Sequence, residues 1–328
     1  MISKVRNYKL DLIRVIAIAM IVLMHSPIPY SMPGYMMIGI SYLTAPGIGL
    51  FFMISGALLL GNNLSTRDFL KKRFSKIIIP TIFWTIFYLI VKCFTEPVNT
   101  LFLLKAFFSI PFCEQGRGVL WFVYTLSGLY LLTPILSRWL HSATESEIRF
   151  YLLLWGISLL YPYLEQFLII NKGTKGILYY FTGYAGYYLL GYYLNTYYKY
   201  NIRHVICAIV IAIALPIILY GSGYNFSFYS LLWYLSLPVA LMAFAWFAIV
   251  SQIRVKEVSL ICEISRLSFG VYLVHIFIMR HIVWNVDLIK ELPGVVQTPV
   301  IMIVTFLLSF FVVKFISRLP ISRYLIGA

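Results

Sequence analysis

Three ionisable residues stand in one apolar stretch near the N-terminus: Asp11, Arg14 and His25. A charge within a spanning segment is costly, so each marks a candidate site. Asp11 and Arg14 are three apart and share one helix face. Arg14 and His25 are eleven apart, roughly 16 Å along a helix axis and about 1100° of rotation, close to three full turns. Their side chains therefore point nearly the same way. A neutral imidazole is the usual general base near neutral pH. An arginine one helix-length below it could bind a phosphate or a carboxylate, or orient Asp11. The plainer alternative is Arg14 reaching for headgroups, paired with Asp11, and His25 at the outer interface. Spacing leaves both open.

A second cluster is densely basic: Arg67, Lys71, Lys72, Arg73 and Lys76, followed by Pro80, with Asp68 as the only acid. Such a cluster suits anionic lipid headgroups. It suits equally the phosphates of a nucleotide-bearing donor. His275 lies mid-segment in Tyr-Leu-Val-His, with Arg280 and His281 five and six residues on; a lone membrane histidine is most often a hydrogen-bond partner between helices. Glu165, beside Tyr161, Tyr163 and Gln166, could hold a sugar hydroxyl or be an interfacial acid. Tyrosines recur at 179, 180, 184, 187, 188, 192 and 193. An aromatic belt explains their number only partly, because the run continues through the segment. A tyrosine-lined cavity would offer ring faces and hydroxyls to a carbohydrate.

The elements that must position these residues are set by composition. Of 328 residues, 61% are hydrophobic and 11% are charged. A soluble domain carries roughly 25% charged residues, so much of this surface must face lipid. A spanning helix needs about 20 mostly apolar residues. Ten segments qualify: 10–27, 36–60, 77–95, 119–139, 150–170, 177–197, 204–221, 229–250, 264–284 and 298–316. The sequence thus predicts an all-α integral membrane bundle of about ten transmembrane helices, one domain over 1–328. The segment 96–118 is the least regular, with room for a re-entrant or interfacial piece. With the N-terminus inside, the inner segments hold fifteen Lys and Arg and the outer loops five. That bias places both termini in the cytoplasm. It also accounts for the net charge of +15, so nucleic acid is not an expected partner. Cys93, Cys113, Cys207 and Cys262 form no metal-ligand or C-x-x-C spacing. Neither a disulfide framework nor a metal is expected. Asp11 and Arg14 argue against a cleavable signal peptide.

Six fragments, in order, carry a resemblance. They are Leu10-Asp11-Leu12-Ile13-Arg14 with His25; Phe51-Phe52-Met53-Ile54-Ser55-Gly56; and Lys72-Arg73-Phe74-Ser75-Lys76 leading to Pro80. Then come Leu120-Trp121-Phe122-Val123 with Tyr130 and Pro134; Phe181-Thr182-Gly183-Tyr184 with Gly191-Tyr192-Tyr193-Leu194; and Ser268-Phe269-Gly270-Val271-Tyr272-Leu273-Val274-His275. Over nearly its whole length the chain resembles the bacterial membrane acyltransferases of acyltransferase family three, which O-acylate cell-surface sugars. Lys76 stands where many members carry arginine. The chain is similar to the minimal membrane core, like the enterobacterial common antigen type.

The resemblance implies a multi-pass protein of the bacterial cytoplasmic membrane. It implies that an acyl group, commonly acetyl, passes from acyl-coenzyme A on the cytoplasmic side. The acceptor is a hydroxyl of a polysaccharide or lipid-linked sugar at the outer face. Acetyl-coenzyme A is then a co-substrate and no cofactor is bound. The partners are acyl-CoA, a sugar acceptor and membrane lipid. His25 would be the base, with Arg14 and Asp11 organising the site. Lys72, Arg73 and Lys76 would meet the donor's phosphates. Glu165, Trp121, Tyr184 and His275 are candidates for the acceptor. The alternative is a transporter or flippase for a sugar or small metabolite. That predicts paired broken helices from an internal repeat, and no repeat stands out. A non-enzymatic assembly partner is the third reading.

Overall fold

The computed structural model describes residues 6–29, 31–61, 65–112, 119–168, 176–222 and 231–327; the side chains of Glu165 and Gln166 fall outside that set. Every regular element among the described residues is helical. In chain order they are α1 (Tyr8–His25), α2 (Gly34–Thr44), α3 (Pro46–Leu59), α4 (Thr66–Thr95), α5 (Thr100–Ser109), α6 (Trp121–Ser142), α7 (Glu145–Ser158) and α8 (Tyr161–Phe167). There follow α9 (Ala185–Thr196), α10 (Ile202–Gly221), α11 (Leu237–Val250), α12 (Ser259–His281), α13 (Asp287–Lys290), α14 (Gly294–Ile316) and α15 (Ser322–Ile326). Among the described residues, five stretches are long and apolar enough to cross a membrane: Gly34–Leu59, Thr66–Thr95, Ile202–Gly221, Ser259–Asn285 and Gly294–Ile316.

The stretch 36–60 holds as one apolar crossing stretch, Gly34–Leu59, in which α2 and α3 abut at Pro46, the first residue of α3. Several other expected segments are broken or shifted, each for a local reason. The stretch 150–170 is α7 and α8, and Pro162 stands in the first turn of α8. The stretch 177–197 yields a 3₁₀ turn at Tyr179–Phe181 and then twelve residues of α9. Helix α4 begins eleven residues before the expected 77, so the basic cluster is helical. Ser65 caps it, accepting from the Asp68 N–H. The irregular segment 96–118 contains α5, whose N-cap is Asn99.

The chain divides into two compact units. Unit 1 comprises Met1–Met24, Met32–Asn62 and Leu136–Ser265; unit 2 comprises His25–Ser31, Asn63–Ile135 and Arg266–Ala328. The centre of unit 1 is a joint between α3 and α9. A Cβ at Gly56 would collide with the Tyr188 carbonyl, and one at Gly191 with the Met53 backbone. Two glycines thus let the two backbones touch, as small residues do in membrane bundles. Helix α1 joins this core at Gly47, where an added Cβ would lie 2.9 Å from the Met20 Cβ. Tyr187, fully buried, donates to the Tyr234 carbonyl at 2.7 Å.

Unit 2 is organised around α4 and α12. The buried Tyr88 hydroxyl donates to the Leu273 carbonyl at 2.8 Å. Trp84 Nε1 donates to the Leu325 carbonyl at 2.9 Å, which fixes α15 to α4. Gly270 lets α12 approach α14 at Val313. Thr298 donates to the Pro27 carbonyl at 2.9 Å and ties down the segment after α1.

Candidate active site

In unit 2, the last residue of α1 meets the middle of α12. His25 Nδ1 and His275 Nε2 are 3.4 Å apart, with ring centroids at 5.1 Å and planes at 60°. His275 has no exposed surface, and His25 is half-buried. His275 Nδ1 lies 2.7 Å from the Tyr272 carbonyl oxygen. A carbonyl can only accept, so Nδ1 of His275 carries the hydrogen. Charging a ring with no solvent around it is expensive, so this imidazole is neutral and its Nε2 is an acceptor. His25 must then donate from Nδ1. The hydrogen-bond pattern thereby makes Nε2 of His25 the proton-accepting nitrogen. A contact of 3.4 Å is long for such a bond.

The surroundings of this pair are aromatic. Tyr272 donates to the Val119 carbonyl, just before α6. Its ring packs on Phe122 at 5.4 Å and on His275 at 5.8 Å. Trp121, the first residue of α6, is half-buried next to Phe122 at 6.5 Å between centroids. The late motif and the Trp-Phe motif therefore meet at Tyr272. The sequence offers His275 as an interhelical hydrogen-bond partner and a candidate for the acceptor; the structure sets its ring against that of His25, a pairing that the spacing of the two residues does not reveal.

The residues at the N-terminal end of α1 behave differently from the simplest expectation. Asp11 is buried, and its ion-pair partner is Arg6, with Nε at 2.6 Å from Oδ2. Arg6 also donates to the Cys262 carbonyl at 2.8 Å. Ser265 donates to Asp11 Oδ1 at 2.5 Å. Arg14 reaches the same hydroxyl at 3.4 Å. Arg14 and Asp11 are thus connected through a serine of α12 rather than by a direct salt bridge. Arg6 counted only as a topology charge in the sequence, and Ser265 carried no signal at all. The carboxylate's hydrogen bond raises the Arg6 pKa, burial opposes it by less, and the carboxylate's charge adds a still smaller rise.

The remaining candidates separate. Lys72, Arg73 and Lys76 lie on the first half of α4 in unit 2, Lys72 and Lys76 exposed and Arg73 half-buried. Arg73 Nε is buried without a hydrogen-bond partner. Tyr184 belongs to unit 1, where it precedes α9 and packs on Phe52 at 4.8 Å. Glu165 is in α8, and its side chain lies outside the described residues; Cys113 and Arg117 are outside them altogether.

A family model described as an acyltransferase domain matches residues 7–314. No curated protein and no solved structure matches the chain. The matched span runs from the residue before α1 almost to the end of α14 and includes Asp11, Arg14, His25, the basic turn of α4 and His275. The chain belongs to acyltransferase family three and is a multi-pass membrane acyltransferase.

Proposed function

We propose that the protein takes an acyl group, acetyl in the first instance, from cytoplasmic acyl-coenzyme A. It delivers that group to a hydroxyl of a polysaccharide or lipid-linked sugar at the outer side of a bacterial cytoplasmic membrane. The observation that carries this is the chain from the Tyr272 carbonyl through His275 to His25. It supports a neutral His25 with Nε2 as its proton-accepting nitrogen. In the reaction, Nε2 removes the hydroxyl proton as the oxygen attacks the thioester carbonyl. The tetrahedral intermediate expels the thiolate. His25 returns the proton to it, leaving the ester and free thiol. His275 accepts from Nδ1 throughout and stabilises the imidazolium formed in between, as the third group of a triad does.

Arg14, with Asp11 and Ser265, organises the other end of α1. Lys72, Arg73 and Lys76 bind the donor's phosphates at the cytoplasmic end of α4. Trp121, next to Phe122 and the Tyr272 ring, offers a ring face to the sugar. About ten spanning segments, with both termini inside, put the basic end of α4 on the donor's side. The test is purified protein with radiolabelled acetyl-coenzyme A and a sugar acceptor. His25→Ala is expected to fold normally and to lose transfer by at least about a hundredfold. A folded His25→Ala variant with wild-type transfer removes the base and the mechanism with it.

A further inference from the structure

The basic turn of α4 has a fourth cation that the sequence does not place beside it. Arg323, on α15, donates from Nη2 to Ser75 Oγ at 2.9 Å. Helix α15 is held in that position from both ends. Trp84 reaches the Leu325 carbonyl. Gly327 closes the helix at φ 69°, a conformation in which a Cβ would also collide with the Lys76 carbonyl. Arg73, Arg323 and Lys72 all lie near enough to Lys76 to repel it.

Among the described residues, none of these four cations forms an ion pair with a carboxylate. Asp68, the acid nearest in sequence, is engaged at the start of α4, where Ser65 donates to its Oδ2 at 2.6 Å. Arg73 Nε is buried with no partner. Four like charges held together by packing, one with a buried and unsatisfied donor, are unfavourable until an anion joins them. Guanidinium groups are suited to phosphate oxygens.

We propose that Arg323 completes, with Lys72, Arg73 and Lys76, a site for a phosphate-bearing polyanion at the start of α4. The phosphates come either from the nucleotide of coenzyme A or from an anionic lipid headgroup; only the first source rests on the donor reading above. Ser75 positions the Arg323 guanidinium, and α15 acts as a C-terminal clasp over the site.

The experiment uses the full-length protein in nanodiscs. Coenzyme A is titrated calorimetrically in phosphatidylcholine discs, and phosphatidylglycerol retention is read by native mass spectrometry. Arg323 is exposed, so Arg323→Ala is expected to keep the wild-type melting midpoint and to bind coenzyme A about tenfold more weakly. Arg323→Lys recovers most of that affinity, and Ser75→Ala loses roughly two- to threefold. If the wild type ignores coenzyme A but Arg323→Ala loses phosphatidylglycerol, the anion site stands and the donor assignment of α4 fails. If Arg73→Ala weakens coenzyme A binding while Arg323→Ala changes neither readout, the inference about Arg323 is overturned and the donor reading survives. If no variant changes either readout, both are overturned.

Discussion

His275→Phe isolates the part of the site that fixes the tautomer of His25. Phenylalanine fills the buried volume without offering an acceptor to His25 Nδ1. The wild-type contact, at 3.4 Å, is a long neutral hydrogen bond in the resting site. During transfer it becomes a bond from an imidazolium, which is worth about 1.5–3 kcal/mol against 0.5–1.5 for a neutral one. The difference, about 1–2 kcal/mol, is lost only when the proton has moved, so kcat falls roughly five- to thirtyfold. KM for the acyl donor stays within about twofold, because the ground state loses little. His275→Gln can present a carbonyl oxygen to Nδ1 and is expected to recover part of the rate. The assay is steady-state acetyl transfer by purified protein across pH, with kcat and KM separated. A His275→Phe enzyme with wild-type kcat, or equal losses in the Phe and Gln variants, refutes the tautomer argument. A merely structural role for His275 predicts a lower melting midpoint in both variants and no difference between them in kcat per folded molecule.

Other outcomes follow from the packing and the charges. Gly56→Ala and Gly191→Ala each place a methyl group on a backbone atom of the opposing helix. No rotamer change relieves this, so each is expected to cost at least about 3 kcal/mol, read as a lost or strongly lowered melting transition. Asp11→Asn keeps a partner for Ser265 but removes the charge that Arg6 meets. The Arg6 side chain is 46% exposed, so solvent screens the pair and the expected loss is only about 1–2 kcal/mol. A double-mutant cycle with Arg6→Gln should show most of that as coupling, and additive losses would contradict it. Glu147 is hydrogen-bonded by the backbone and then the side chain of Thr144, which lowers its pKa. The stability this contributes is present above the unfolded-state value and is lost as pH falls through the lowered one. Amide exchange in the first turn of α7 should therefore accelerate on acidification below about pH 4, and Glu147→Gln should remove that pH dependence.

The parts of the fold legible in the sequence are those set by hydropathy over long windows. Helices α10, α12 and α14 lie within a few residues of expectation, because an unbroken apolar run has no competing structure in lipid. Breaks were harder to read. Pro46 is tolerated inside the stretch Gly34–Leu59, whereas Pro162 stands in the first turn of a separate short helix, and hydropathy does not tell the two cases apart. Helix α4 was truncated for the opposite reason. Its charged first three turns look like a loop by hydropathy, although Ser65 and Asp68 mark a helix start by capping chemistry.

The site divides along the same line. His25 was legible because a single ionisable residue in an apolar helix has few inexpensive explanations. Its function, however, depends on which ring nitrogen holds the proton, and that is decided by two atoms remote in sequence, His275 Nε2 and the Tyr272 carbonyl. A motif can list both histidines and still not say that one is the acceptor of the other. The same holds for Asp11. Its spacing from Arg14 suggested a salt bridge along one helix face, yet the carboxylate turns to Arg6 and Ser265. Arg6 meets one carboxylate oxygen and a serine of α12 donates to the other. Spacing along one helix fixes which residues share a face; the choice among partners on that face is made by the helices packed against it. Substituting Ser265→Ala, which removes the hydroxyl that Asp11 and Arg14 share, should therefore disturb those two residues together, read as a lowered melting midpoint.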